Sequence, residues 1–291
     1  MPRFAVMTFM YGRRLEDGSL SHRQLLEAIA DHGADGIEVF HRTFRGENRG
    51  LLREYQHLLA ELGLKMAAID VITDLVSGGP GARRAGRDEL RRGLDICLAL
   101  EAPIAHVAGS RLGEQMSPED GRKILAEALL EVADLAEYRG LTLAVEDFDP
   151  APEFLCRLDD VLDLLRRTRF RVKMVFDTGN FFAVGERADE NLAAAYEHIV
   201  LCHFKDFLPA DGPPGSRRGT HFGQGVIPNR RVARMLVERG YSGWVALESY
   251  PQPGMQPEAT IAEELARLRE MFAAESGDGT PPNRPPEGAE R

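Results

Sequence analysis

The sequence predicts an α/β fold, a single (β/α)8 TIM barrel, on two regularities and one absence. Eight apolar runs of strand length recur along the 291 residues, at 4–10, 36–40, 65–71, 104–109, 141–148, 172–179, 199–206 and 244–250. Between them lie stretches whose apolar residues return at helical period, such as HRQLLEAIADHG, LLREYQHLLAELG and ILAEALLEVADLAEYRG. Regular strand–helix alternation builds a parallel sheet, and eight units of it close a barrel. The absence is a phosphate loop. The first run passes into MYGRR, where a doubly wound nucleotide-binding sheet favours G-x-G-x-x-G.

Taken in order, the elements carry their own punctuation. Gly33, Gly63, Gly140 and Gly240 follow amphipathic stretches and read as helix stops. Ser117-Pro118-Glu119-Asp120 reads as a helix start, with Ser as the cap and Pro in the first turn. Two connections are long and rich in Gly and Arg, TDLVSGGPGARRAG after the third strand and LPADGPPGSRRGTHFGQG after the seventh. Both belong on the carboxyl face, where such loops often act as lids. The barrel is expected to occupy residues 1–275, and the polar, Pro- and Gly-rich segment 276–291 to be a disordered tail.

Hydrophobic residues make up 43% and charged ones 28%, the balance of a soluble globular protein. A net charge of −10 argues against a nucleic-acid partner, since phosphate binding needs clustered cations. Cys97, Cys156 and Cys202 are odd in number and far apart, so they read as buried thiols in a reducing compartment. The N-terminal apolar run is short and quickly followed by charge, unlike a signal peptide, and no stretch reaches membrane-span length. A cytoplasmic location with no membrane partner is expected, and homo-oligomerisation is compatible with this composition.

Polar residues gather at strand ends. Side chains alternate along a strand, so in LCHFKD an inward His203 brings Lys205 inward while Cys202 and Phe204 face the helices. LAVED puts Glu146 at the end of strand five, VFDTGN puts Asp177 at the end of strand six, and WVALESY puts Glu248 at the end of strand eight. Four neighbouring strands therefore offer Glu146, Asp177, His203 and Glu248 at one height. Three carboxylates so close repel one another unless a cation joins them. One divalent metal ion answers this. The oxygen-rich set favours Mn²⁺, with Co²⁺, Mg²⁺ or Zn²⁺ as alternatives, and Lys205 is placed to balance the remaining negative charge.

These motifs resemble the xylose isomerase-like TIM-barrel superfamily, which includes sugar-phosphate isomerases and epimerases and proteins of the family 2 AP-endonuclease type. The shared marks are GADGIEVF, LAVED, FDTGN, CHFKD, the turn with Gly223 and Gly225, and ALESY, over about residues 4–273. The resemblance implies a metal-dependent sugar isomerase or epimerase. In it Glu146 and Glu248, besides ligating, move a proton off and onto a carbon beside a carbonyl through a metal-stabilised enediolate. A lyase or dehydratase acting on a keto-sugar or inosose can use the same chemistry. A non-catalytic metal-binding barrel and an AP endonuclease are the remaining readings. Against the endonuclease, Asn180 stands where the family often has histidine, and strand three reads AAID, with Asp70 in place of a second histidine. The expected substrate-binding residues are His106, Lys205, Asn180, His221 and Arg217, with a small-molecule carbohydrate as partner. Glu38 has two open readings, orienting a pocket group or supporting the barrel base.

Overall fold

The computed structural model describes residues 1–44, 49–250 and 254–276. The expected tail beyond Ser276 lies outside the described residues. Eight parallel strands close a barrel: β1 (Arg3–Met7), β2 (Gly36–Phe40), β3 (Lys65–Ile72), β4 (Ile104–Ala108), β5 (Thr142–Glu146), β6 (Lys173–Asp177), β7 (Ile199–Phe204) and β10 (Trp244–Leu247), with β10 pairing back onto β1. A small antiparallel hairpin, β8 (Phe207–Pro209) and β9 (Arg217–Gly219), stands in the connection after β7.

The principal outer helices are α2 (His22–Asp31), α3 (Arg49–Leu62), α4 (Pro80–Ala99), α5 (Pro118–Tyr138), α7 (Leu158–Arg167), α8 (Ala188–Ala195), α9 (Asn229–Glu238) and α10 (Pro257–Ser276); α1 (Gly12–Glu16) and α6 (Pro152–Leu155) are single turns. Local chemistry sets their starts. Ser21 and Gln24 form a reciprocal capping box at α2, and Ser117 Oγ accepts from Asp120 N at the start of α5. The long loop expected after the third strand is shorter than its composition suggested. PGARRAG opens α4, with Pro80 in the first turn, where its missing N–H costs nothing.

Period-two alternation sorts each strand into two layers. Outward residues such as Val6, Val39, Val145, Phe176, Cys202 and Phe204 join the large core beneath the helices. Inward residues Ala5, Ala68, Ile104, Ala144, Val175, Leu201 and Ala246 fill the barrel together with Trp244. Gly36 makes room for that indole: a Cβ there would lie 2.9 Å from Trp244 Cη2 and 2.3 Å from Lys65 O. Two residues further along, the same inward positions turn polar, giving Glu38, Asp70, His106, Glu146, Asp177, His203 and Glu248, all buried. The lumen is thus an apolar floor beneath a polar layer at the carboxyl end, the face where barrels of this kind keep their chemistry.

Candidate active site

The four expected ligands converge. Glu146, Asp177, His203 and Glu248 each offer a ligand atom, and these atoms lie within 4.8 Å of one another. They do not share one register. Asp177 pairs with His203, but Glu146 pairs with Val175 and His203 with Ala246, so the set climbs around the barrel with its stagger. Glu248 lies just past β10, where its N–H still donates to Phe204 O at 2.9 Å.

Each side chain is held by identifiable partners. Asp177 Oδ1 accepts from Gly179 N at 2.7 Å and Asn180 N at 2.9 Å, an Asx-type turn written in the DTGN sequence. This leaves Asp177 Oδ2, buried and without an aligned hydrogen bond, facing the cluster. Lys205 Nζ lies 3.0 Å from that oxygen and 2.7 Å from Glu248 Oε2. The lysine stem passes over Gly179, where a Cβ would lie 2.5 Å from Lys205 Cγ. His203 Nδ1 faces Glu146 Oε1 at 2.9 Å, Asp177 Oδ2 at 3.6 Å and Glu248 Oε2 at 3.9 Å. Its Nε2 reaches across the lumen to Glu38 Oε2 at 3.0 Å.

The electrostatics follow from burial and charge. Burial would raise the Asp177 carboxyl, but Lys205 and His203 outweigh it and hold it at about 2. Burial wins at Glu248 and pushes it to about 7 despite Lys205. Burial disfavours charge on Lys205, yet Asp177 and Glu248 keep its pKa well above the usual lysine value. The donor set fits a divalent cation: three carboxylates converging on one point, and an imidazole whose outer nitrogen is fixed by a further carboxylate, Glu38, the usual support of a metal-bound histidine.

The residues foreseen for substrate divide. His106, Asn180 and Lys205 line a cleft of about 330 Å³ over the cluster, together with Glu146 and Glu248. His106 Nδ1 is held by Asp70 Oδ1 at 2.9 Å, while its Nε2 is buried without a hydrogen-bond partner, 3.9 Å from Glu146 Oε2. Arg217 and His221 are not among the described residues lining the cleft. Arg217 lies on the hairpin, ion-paired with Asp149 and 5.2 Å over the Phe207 ring, so it braces the cleft edge through Asp149. His221 is buried against α10, 2.9 Å from Glu264 Oε1 and 3.3 Å from Glu263 Oε2.

Other roles were not visible in sequence. Asp147, one step out of phase with Glu146, accepts from Asp177 N at 2.8 Å and so fixes the neighbouring strand end. Asp206 gathers the amides of Phe207, Gly223, Gly225 and Ile227 and organises the glycine turn. Of the two open readings of Glu38, its contact with His203 favours the orienting one. Met7, Phe9, Phe40, Arg42, Ile72, Phe148 and Tyr250 complete the cleft wall.

Comparison with known proteins agrees with this geometry. The L-ribulose-5-phosphate 3-epimerase UlaE of Salmonella paratyphi B is 25% identical over 201 residues, 69% of this chain and 68% of that protein. A solved L-ribulose 3-epimerase superposes with a TM-score of 0.77 at 17% identity, covering 98% of this chain and 100% of the other. The IolI protein, solved with a bound zinc atom, gives 0.74 at 19% identity over 95% of this chain and 98% of its own. The xylose isomerase-like TIM barrel family model matches residues 26–271, most of the chain, and with the barrel and its carboxylate–histidine quartet in view, this protein belongs to that family.

Proposed function

We propose that the protein is a divalent-metal-dependent sugar epimerase or isomerase that removes a proton from a carbon beside a carbonyl. The observation carrying this reading is the quartet of Glu146, Asp177, His203 and Glu248 gathered within 4.8 Å beneath a cleft. A bound divalent cation, Mn²⁺ by preference, supplies Lewis acidity that makes the C–H bond easier to break. The rest of the chemistry falls to the side chains. Glu248, a buried carboxylate lining the cleft, takes the proton, the C–H electron pair becoming the C=C bond as the carbonyl π electrons move onto oxygen. Glu146, entering the cycle protonated, delivers its proton to the opposite face of the same carbon and inverts it; delivery to the neighbouring carbon gives isomerisation instead. His106 Nε2 and the Asn180 side-chain oxygen, both buried without a hydrogen-bond partner, are placed to bond substrate hydroxyls.

The similarity to L-ribulose-5-phosphate 3-epimerase supports a ketose as substrate and its C3 as the reacting carbon. The reading extends to a single cytoplasmic barrel domain over residues 1–275. The test is incubation of the Mn²⁺-loaded protein in D₂O with L-ribulose 5-phosphate, L-ribulose and a panel of other ketoses, followed by NMR. Deuterium entering beside the carbonyl, and lost on chelation, is the expected result. No exchange with any ketose at metal saturation would sink the reading.

A further inference from the structure

The cleft has a second side that the proton-transfer chemistry does not use. In the closed strand order, β2 lies four strands from β6 in either direction, so the residues following β2 face the wall that carries Asp177. There Phe40 stacks on Phe9, with ring centroids 5.5 Å apart and planes at 26°. Both rings are only half-buried and line the cleft. Ile72 lies beside them, and Arg42 stands exposed at the rim. Arg42 makes one hydrogen bond among the described residues, from Nη2 to Ile72 O at 3.0 Å, and no ion pair.

That arginine is unlike the other cation of the cleft. Lys205 is held between Asp177 and Glu248. The carboxylates near Arg42 are engaged elsewhere: Glu89 lies 2.6 Å from His41 Nε2 and pairs with Arg92, and Asp74 accepts from Val76 N, Ser77 N and the Ser77 hydroxyl. A guanidinium has five donors in a planar fork suited to phosphate or carboxylate, and among the described residues one hydrogen bond engages it. The contact to Ile72 O holds the fork at the mouth, and the stacked rings offer a flat apolar wall for the C–H face of a carbon chain or ring.

We propose that Arg42, with the Phe9–Phe40 stack and Ile72, is an anion-recognition subsite that selects substrates carrying a phosphate or carboxylate at the end remote from the carboxylate–histidine quartet. The proposal rests on the sugar-epimerase reading and narrows it to anionic ketoses. It is tested by binding ligands that have no ketone and cannot turn over. Calorimetry on the Mn²⁺-loaded protein compares ribitol 5-phosphate, ribonate and ribitol, for the wild type, Arg42→Gln and Arg42→Lys.

A charge-assisted contact of this kind is worth about ten- to a hundredfold in affinity. The expected result is that an anionic ligand binds tighter than ribitol by that factor in the wild type. Arg42→Gln loses the preference, Arg42→Lys keeps part of it, and ribitol binds all three proteins alike, which also shows that the variants are folded. Preference for the phosphate alone or for the carboxylate alone supports the proposal and names the anion. Equal binding of neutral and anionic ligands to the wild type overturns it, as does a preference that survives in Arg42→Gln, which would put the anion on the metal or Lys205. A preference lost in Arg42→Gln, in a protein that catalyses no deuterium exchange, would leave the subsite standing and remove the epimerase reading.

Discussion

On one side of the barrel mouth, Glu146, Asp177, His203 and Glu248 come from β5, β6, β7 and the residue after β10, anchored by the strand ladder itself. On the other side, Phe9 and Arg42 come from short segments beyond β1 and β2, beside Phe40 and Ile72 at the last positions of β2 and β3. The first wall is buried and charged; the second is half-open, mostly aromatic, and ends in an exposed guanidinium. On the proposed reading, the strand ends fix the proton-transfer groups, while Phe9 and Arg42 sit on segments that can change without moving them. Beneath both walls, Glu38 and Asp70 are buried props, one holding His203 and the other His106.

Substitutions that break or sharpen this contrast can be ranked. Glu248→Gln removes the base while keeping its shape, and deuterium exchange at saturating Mn²⁺ should fall by about 10²–10⁴-fold; an unaltered rate would mean that the base lies elsewhere. Trp244→Ala empties the apolar floor and should cost about 3–5 kcal/mol in chemical denaturation. Its Mn²⁺ affinity in the absence of denaturant should stay close to that of the wild type, separating floor from polar layer. Glu38→Gln can still accept from His203 Nε2 but no longer as an anion. Titration with Mn²⁺ should show affinity about 10–100-fold weaker, and an unchanged affinity would show that the prop from β2 is idle. Arg217→Ala breaks the ion pair with Asp149 and should lower stability by about 1 kcal/mol or less. Its metal titration should match the wild type; a several-fold shift there would show that the hairpin and the quartet are coupled, contrary to the division drawn above.

The same division explains what could be read in advance. Apolar runs of fixed phase revealed the eight strands, and their last inward residues revealed Glu146, Asp177, His203, Lys205 and Glu248, because alternation is a local rule. Glu38 and His203 are 165 residues apart and meet only because the barrel closes, which no local period encodes. Asp147 was hidden because it sits one residue out of phase and serves a backbone amide. Arg217 and His221 lie on a connection without periodicity, so composition suggested the pocket where the fold gives them Asp149 and Glu264. The start of α4 carried a usable signal, Pro80 directly after Gly79, outweighed by the glycines and arginines around it.

The aspartate that follows the CHFK motif has a consequence beyond its own turn. Asp206 collects four main-chain amides with its carboxylate, and its own carbonyl accepts from Thr220 N at 3.1 Å. Both feet of the hairpin excursion are therefore riveted to one residue, three positions past His203. Residues inserted or exchanged at the tip, around 210–216, leave those rivets in place. The hairpin tip can therefore vary in sequence and length without disturbing the strand end that carries His203 and Lys205.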